Sequence, residues 1–302
     1  MPSPDSNSVV LGLIQLEASA DAAENTAKTH ARIREAAAHG AQIICTQELF
    51  QSLYFCQHHD EAFFDLAEPV PGPLTASASA LARELGVVII SAFFERRAPG
   101  IYHNSATVHD TDGRLAGIYR KMHIPEDPGF HEKYYFTPGD TGFPAVDTAF
   151  GRIGVLICWD QWFPEAARLM ALDGADILFY PTAIGLLPQE SEADKATYRE
   201  AWEIMQRSHA IANGCYVAAI NRVGTEGRIR FWGDSFVAGP FGQMLAQAGE
   251  DEQILYATCA RREVEQTRRT WPFLRDRRID AYRPLLERFG TGKTGHQPRG
   301  KG

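Results

Sequence analysis

The sequence predicts an α/β fold in which two mixed β-sheets pack face to face with helices covering the outside. Three observations carry that expectation. Apolar strand runs alternate with helical patterns, antiparallel hairpin signals occur in the same chain, and no linker-like composition interrupts residues 1–285. The 302 residues therefore read as one domain, long enough for a large core, followed by a flexible tail over 286–302 that is glycine-rich with a basic end.

The elements follow in order. Val9–Leu16 is a strand, and Asp21 caps a helix running through Ala27, Ile33 and Ala37 to a stop at Gly40. Gln42–Thr46 is a second buried strand. After the Pro71-Gly72-Pro73 turn, Thr75–Leu85 is helical, and Val87–Phe94 is the next strand. Tyr102–His109 and Arg114–Tyr119 form a hairpin around Asp110-Thr111-Asp112-Gly113. Lys121–Gly142 is a long irregular segment whose aromatics argue against disorder and for a functional loop. Val155, Leu156 and Ile157 form a doubly buried strand that ends at Cys158, and a helix starts at Pro164-Glu165 and runs to Gly174. Ile177–Tyr180 and Cys215–Ile220 are strands flanking a long helix, Lys195–Asn213. Arg228–Val237, Gly242–Ala248 and Gln253–Thr258 alternate as a meander.

Composition narrows the function. A formal charge of −8 argues against a nucleic-acid partner, and no run reaches the roughly 18 apolar residues of a membrane span. The first residues lack a basic leader, and the five cysteines (Cys45, Cys56, Cys158, Cys215, Cys259) form no paired motif. Both point to reduced thiols in the cytoplasm. Three suggestive patterns fail. Gly292-Lys293-Thr294 lacks the glycine and the strand of a phosphate loop. Gly233-Asp234-Ser235 has Val237 where a nucleophile elbow needs glycine. Cys56, His58, His59 and Asp60 lack the second ligand pair of a structural zinc site, so they read as solvated loop residues.

One constellation holds. A thiol at the end of a buried strand and ahead of a helix N-terminus sits where backbone N–H groups and the helix dipole favour negative charge. Two other strands deliver charged groups to comparable positions: Glu48 follows Gln42–Thr46, and Lys121 follows Arg114–Tyr119. An acid, an ammonium and a thiol can thus converge at one edge of the sheets.

Three stretches in this order resemble the carbon–nitrogen hydrolases, the nitrilase superfamily: Gln47-Glu48-Leu49-Phe50, Tyr119-Arg120-Lys121-Met122-His123-Ile124-Pro125 and Gly154-Val155-Leu156-Ile157-Cys158-Trp159-Asp160. The resemblance covers roughly residues 8 to 285 and implies an α-β-β-α sandwich of two mixed sheets, assembled into a homo-oligomer built from dimers. It implies a catalytic Glu48, Lys121 and Cys158, with the family's further glutamate falling on Glu132. Glu132 then orients Lys121 and substrate, tunes Glu48, or forms a structural ion pair. Glu48 takes the thiol proton, and Lys121 with the Trp159 backbone N–H holds the oxyanion. No metal or organic cofactor is needed.

The residues behind the cysteine narrow the substrate. Family members that act on N-carbamoyl amino acids carry an arginine there to grip the carboxylate, and this chain has Gln161 and Trp162 instead. The run from Cys158 to Arg168, with Tyr180-Pro181-Thr182-Ala183-Ile184-Gly185 after it, is similar to members that take a small cationic ureide, with an ammonium at the far end of an apolar four-carbon stem. Such a substrate calls for aromatic walls, for which Tyr54, Phe130, Trp159 and Trp162 are candidates. It also calls for a distal carboxylate, Asp127 or Glu190. The aromatic run Trp271-Pro272-Phe273-Leu274 is a candidate subunit contact.

Overall fold

The structure is a computed structural model that describes residues 8–289. The expected tail lies outside the described residues from 290 onward, as does Gly292-Lys293-Thr294. The chain begins β1 (Ser8–Gln15), α1 (Ala22–Ala38), β2 (Ile43–Thr46), α2 (Pro73–Leu85), β3 (Val88–Ala98), β4 (Ile101–His109), β5 (Leu115–Arg120) and α3 (Glu132–Tyr135). It continues through β6 (Val146–Thr148), β7 (Gly151–Val155), α4 (Pro164–Leu172), β8 (Ile177–Pro181), β9 (Gly185–Leu186) and α5 (Glu192–Asn213). The last elements are β10 (Tyr216–Ile220), β11 (Val223–Glu226), β12 (Ile229–Trp232), β13 (Phe236–Ala238), β14 (Met244–Gln247), β15 (Gln253–Ala260) and α6 (Arg261–Thr270).

Two six-stranded sheets result, in the orders β15-β1-β2-β3-β4-β5 and β14-β13-β10-β8-β7-β6, with β11, β12 and β9 forming a small third sheet. Period-two alternation sorts the side chains between layers. In β1, Val9, Leu11 and Leu13 point into the core shared with Ile153, Val155, Leu178 and Val217 of the other sheet. The alternate residues Ile14 and, just beyond, Leu16 pack on Ile33 and Ala36 of α1 and Leu81 and Ala82 of α2. Gly12 lies on that helical face. A Cβ there would come within 3.0 Å of the Ala41 Cβ and 3.2 Å of the Ala36 Cβ, so a side chain would push the helix layer away. On the far side, α4 and α5 cover the second sheet through Met170, Trp202 and Ala210. The layers are therefore α-β-β-α, as expected.

Two expectations are corrected. The three C-terminal strand runs do not form one meander. Arg228–Val237 breaks at Gly233 and Asp234, whose φ angles of 66° and 56° are left-handed, giving β12 and β13 in different sheets. β15 then crosses to the first sheet and pairs antiparallel with β1 from Ser8↔Ala260 to Gln15↔Gln253. Alternation fixes which face of a strand is buried, but it does not say which sheet takes that strand.

The second correction concerns Cys158. The strand ends at Val155, two residues short of the expected run, and a five-residue 3-10 turn, Cys158–Trp162, leads to α4, which begins at Pro164 as expected. The thiol is mounted on that turn, with φ of 44° at Cys158 itself, rather than directly on the end of the strand. All five cysteines are free and buried. Among the described residues, no helix is long and apolar enough to cross a membrane.

Candidate active site

Glu48, Lys121 and Cys158 leave three different strand ends, and shared hydrogen bonds draw them together. Asn104, in β4, holds two of them at once. Its side-chain amide donates to Glu48 Oε1 at 2.7 Å, and its carbonyl accepts the Lys121 backbone N–H at 2.9 Å. Asp160 does the same for the other pair of segments. It accepts the Ile157 N–H at 2.9 Å, just before the cysteine, and the His123 N–H at 3.0 Å, just after the lysine. The Tyr119 hydroxyl and the His123 ring complete its shell at 2.8 and 2.7 Å.

Lys121 lies between two carboxylates. Its Nζ donates to Glu48 Oε1 at 2.9 Å and to Glu132 Oε2 at 2.6 Å, and all three side chains are fully buried. Burial by itself would discharge the lysine, but Glu132 and Glu48 outweigh it and hold the ammonium charged. Glu132 has the opposite problem. Burial pushes its carboxyl up, with Glu48 adding to the rise and Lys121 opposing it. Its other oxygen accepts the Tyr54 hydroxyl at 2.8 Å.

The thiol of Cys158 is also pushed up, first by burial and then by Glu48, with Lys121 pulling the other way. The resting sulfur is therefore protonated, and its weak hydrogen bond goes to the Ala183 carbonyl at 3.8 Å. Such a thiol needs a base to become a nucleophile. Glu48 Oε2 is buried and has no hydrogen-bond partner, so an oxygen of this side chain is available to accept a proton.

A second buried ion pair positions Glu48. Arg222, which follows β10, donates to the carbonyls of Glu48 at 2.8 Å and Leu49 at 3.0 Å. Leu49 takes a left-handed φ of 49°, and the guanidinium fixes that turn. The other arm of Arg222 meets both oxygens of Glu226 at 2.8 Å, and Glu226 in turn accepts the Tyr54 N–H at 2.5 Å.

The sequence-derived substrate residues fall into two groups. Tyr54 is in the cluster, and the Phe130 ring lies 5.5 Å from it. Trp159 and Trp162 ride on the same turn as Cys158, with Trp162 half-buried against the main core. Asp127 is exposed and lines a pocket of about 380 Å³ with Gln57, His58, Glu126, His131, Leu187 and Arg228. Glu190 is half-buried, and its carboxylate accepts the Leu187 N–H at 2.5 Å, while Leu187 packs on the Tyr54 cluster. Gln161 is fully buried and takes the Trp202 indole N–H at 2.7 Å, so it braces the turn from behind. Sequence reasoning missed Asn104, Asp160, Arg222 and Glu226. Asn221-Arg222 directly after the apolar run Cys215–Ile220 has the same strand-end placement that singled out Glu48 and Lys121.

Comparison with known proteins points to one family. Residues 10–269 match the carbon–nitrogen hydrolase family. An N-carbamoylputrescine amidase of Arabidopsis thaliana is 47% identical, over 94% of this chain and 97% of the relative. A citrullinase of Francisella tularensis is 41% identical over 93% of this chain and 99% of its own length. The crystal structure of a carbon–nitrogen hydrolase from Helicobacter pylori superposes with a TM-score of 0.91 at 47% identity, covering 94% of this chain and all of the other.

Proposed function

This chain belongs to the carbon–nitrogen hydrolase family, and we propose that it hydrolyses N-carbamoylputrescine to putrescine, carbon dioxide and ammonia through a thioester on Cys158. The observation that carries the reading is the free oxygen of Glu48 in a buried cluster whose charges all act on the Cys158 thiol. Glu48 takes the thiol proton as sulfur attacks the ureido carbon. The oxyanion that forms is held by the Lys121 ammonium and the Trp159 backbone N–H. Collapse of the intermediate breaks the bond to the terminal nitrogen, and the proton on Glu48 leaves with it as ammonia. Glu48 then takes a proton from water, the hydroxide displaces sulfur, and the released carbamate loses carbon dioxide to give the amine. Glu132 keeps Lys121 aligned between the two carboxylates.

The far end of the substrate is an ammonium on an apolar stem. Tyr54 and Phe130 supply aromatic wall, and Glu190 supplies the carboxylate, an assignment supported by its half-burial beside Leu187 and the Tyr54 cluster. Exposed Trp271 and Phe273, with Phe241 stacked on Trp271 at 5.1 Å, support assembly into a homo-oligomer through that edge.

A substrate panel tests the assignment. N-carbamoylputrescine should exceed citrulline, N-carbamoyl-β-alanine and α-ketoglutaramate in kcat/KM, because the last three bring a carboxylate to a site with no arginine behind the cysteine. Glu190→Gln should raise KM for the cationic ureide far more than for a neutral ureide of equal length. Preference for any carboxylated member of the panel overturns the substrate.

A further inference from the structure

We propose that His59, Glu126 and His131 form a binding site for a divalent transition metal of the zinc class, on the loop layer next to the catalytic cluster and independent of its chemistry. Each offers one ligand atom, and the three atoms lie within 4.8 Å of one another. In sequence, His59 belongs to a histidine-rich stretch without a partner. The fold supplies the missing ligands from a segment some seventy residues further on.

The geometry is prepared for an ion. His131 Nδ1 and Glu126 Oε1 already face each other at 2.7 Å, sharing a proton that a metal can replace. The His59 ring stands edge-on to the His131 ring at 5.0 Å and is stacked on Tyr134 at 4.4 Å with an interplanar angle of 11°. The backbone N–H of His131 is tied to the Cys56 carbonyl at 2.7 Å. Packing and main-chain bonding therefore orient the two imidazoles. Bonds of about 2.0–2.2 Å place tetrahedral ligands about 3.3 Å apart. The His131–Glu126 side of the present triangle, at 2.7 Å, opens slightly to reach that spacing, and the other two lie within 4.8 Å.

The donor set selects the metal. Two imidazoles and one carboxylate suit zinc and its neighbours, with water in the fourth position, whereas magnesium and calcium need six or more oxygens. A bound ion would fasten the segment around residues 126–131 to the segment around residues 55–59. The former leads directly into Glu132.

The test uses the full chain carrying Cys158→Ala, so that the active-site thiol cannot capture metal, stripped with chelator and titrated with Zn²⁺ by calorimetry. One equivalent should bind, and His59→Ala or His131→Ala should each weaken it by at least about tenfold. Glu126→Gln should weaken it too. These side chains are on the outer loops, so metal-free melting temperatures should match the parent. Co²⁺ substitution should give the visible bands of a four-coordinate ion without a thiolate charge-transfer band. Unchanged affinity in the His59→Ala/His131→Ala double variant, or a thiolate band with Co²⁺, overturns the site.

Discussion

The molecule buries two sets of charges that meet at Glu48, one through its side chain and one through its backbone carbonyl, and it uses them differently. Around Lys121 one ammonium meets two carboxyl groups and a thiol, and Glu48 Oε2 is left without a donor. Around Arg222 one guanidinium meets one carboxylate, and both oxygens of Glu226 are engaged. The first arrangement is imbalanced, and that imbalance is what a proton-transfer site requires. The second is balanced and holds the backbone of the first in place. Substitutions should therefore separate the two: those around Lys121 should cost turnover, and those around Arg222 should cost stability.

The largest effect tests the imbalanced group directly. Cys158→Ala should lower kcat by more than about ten-thousand-fold while the melting curve stays near that of the parent, because the sulfur makes only one weak hydrogen bond. Ammonia release and differential scanning calorimetry measure the two quantities. Appreciable residual turnover would remove the nucleophile and with it the contrast. Next is Glu48→Gln, which keeps an acceptor for Asn104 and Lys121 but removes the base. A loss of about 10² to 10⁴ in kcat is expected, with a parallel slowing of Cys158 alkylation by iodoacetamide. If alkylation is unaffected, Glu48 is not what activates the thiol.

The balanced pair predicts the reverse pattern. Arg222→Met leaves Glu226 buried without its cation and frees the carbonyls of Glu48 and Leu49, at a cost of about 3–5 kcal/mol in urea unfolding. Arg222→Met with Glu226→Met should recover part of that loss, since no unpaired charge remains. A single substitution that leaves stability intact but abolishes turnover would place Arg222 in the chemistry instead.

The two clusters also differ in how legible they are from sequence. Glu48, Lys121 and Cys158 each follow a run of β-branched and apolar residues, so period and punctuation point to them. The layer order follows for the same reason: β1 alternates cleanly between the inter-sheet core and the helices. Arg222 follows such a run as well, but besides Glu226 it bonds backbone carbonyls more than 170 residues away, which no local pattern encodes. The elbow at Cys158 is hidden too, because a left-handed φ normally advertises itself through glycine, and here a cysteine adopts it. The crossing of β15 to the first sheet, where it pairs with β1, is likewise a tertiary choice that local alternation does not encode.

The smallest effect concerns the third member of the imbalanced group. Glu132 has its carboxyl raised, first by burial and then by Glu48. A carboxyl whose folded pKa lies above its unfolded value binds its proton more tightly when folded. Its contribution is thus fully present below the unfolded value of about 4.5, is lost as pH rises toward the folded value, and stays lost above it. Glu132→Gln keeps the side-chain oxygen that accepts from Tyr54 and removes the titration. Relative to the parent, this variant should therefore be more favoured in urea unfolding at pH 8 than at pH 5. Its turnover should fall roughly tenfold, a loss smaller than that of Glu48→Gln, because Lys121 keeps one of its two carboxylates. A stability difference that does not move with pH would mean that Glu132 sits in the folded protein as an ordinary ionised partner of Lys121, with its carboxyl not raised by burial.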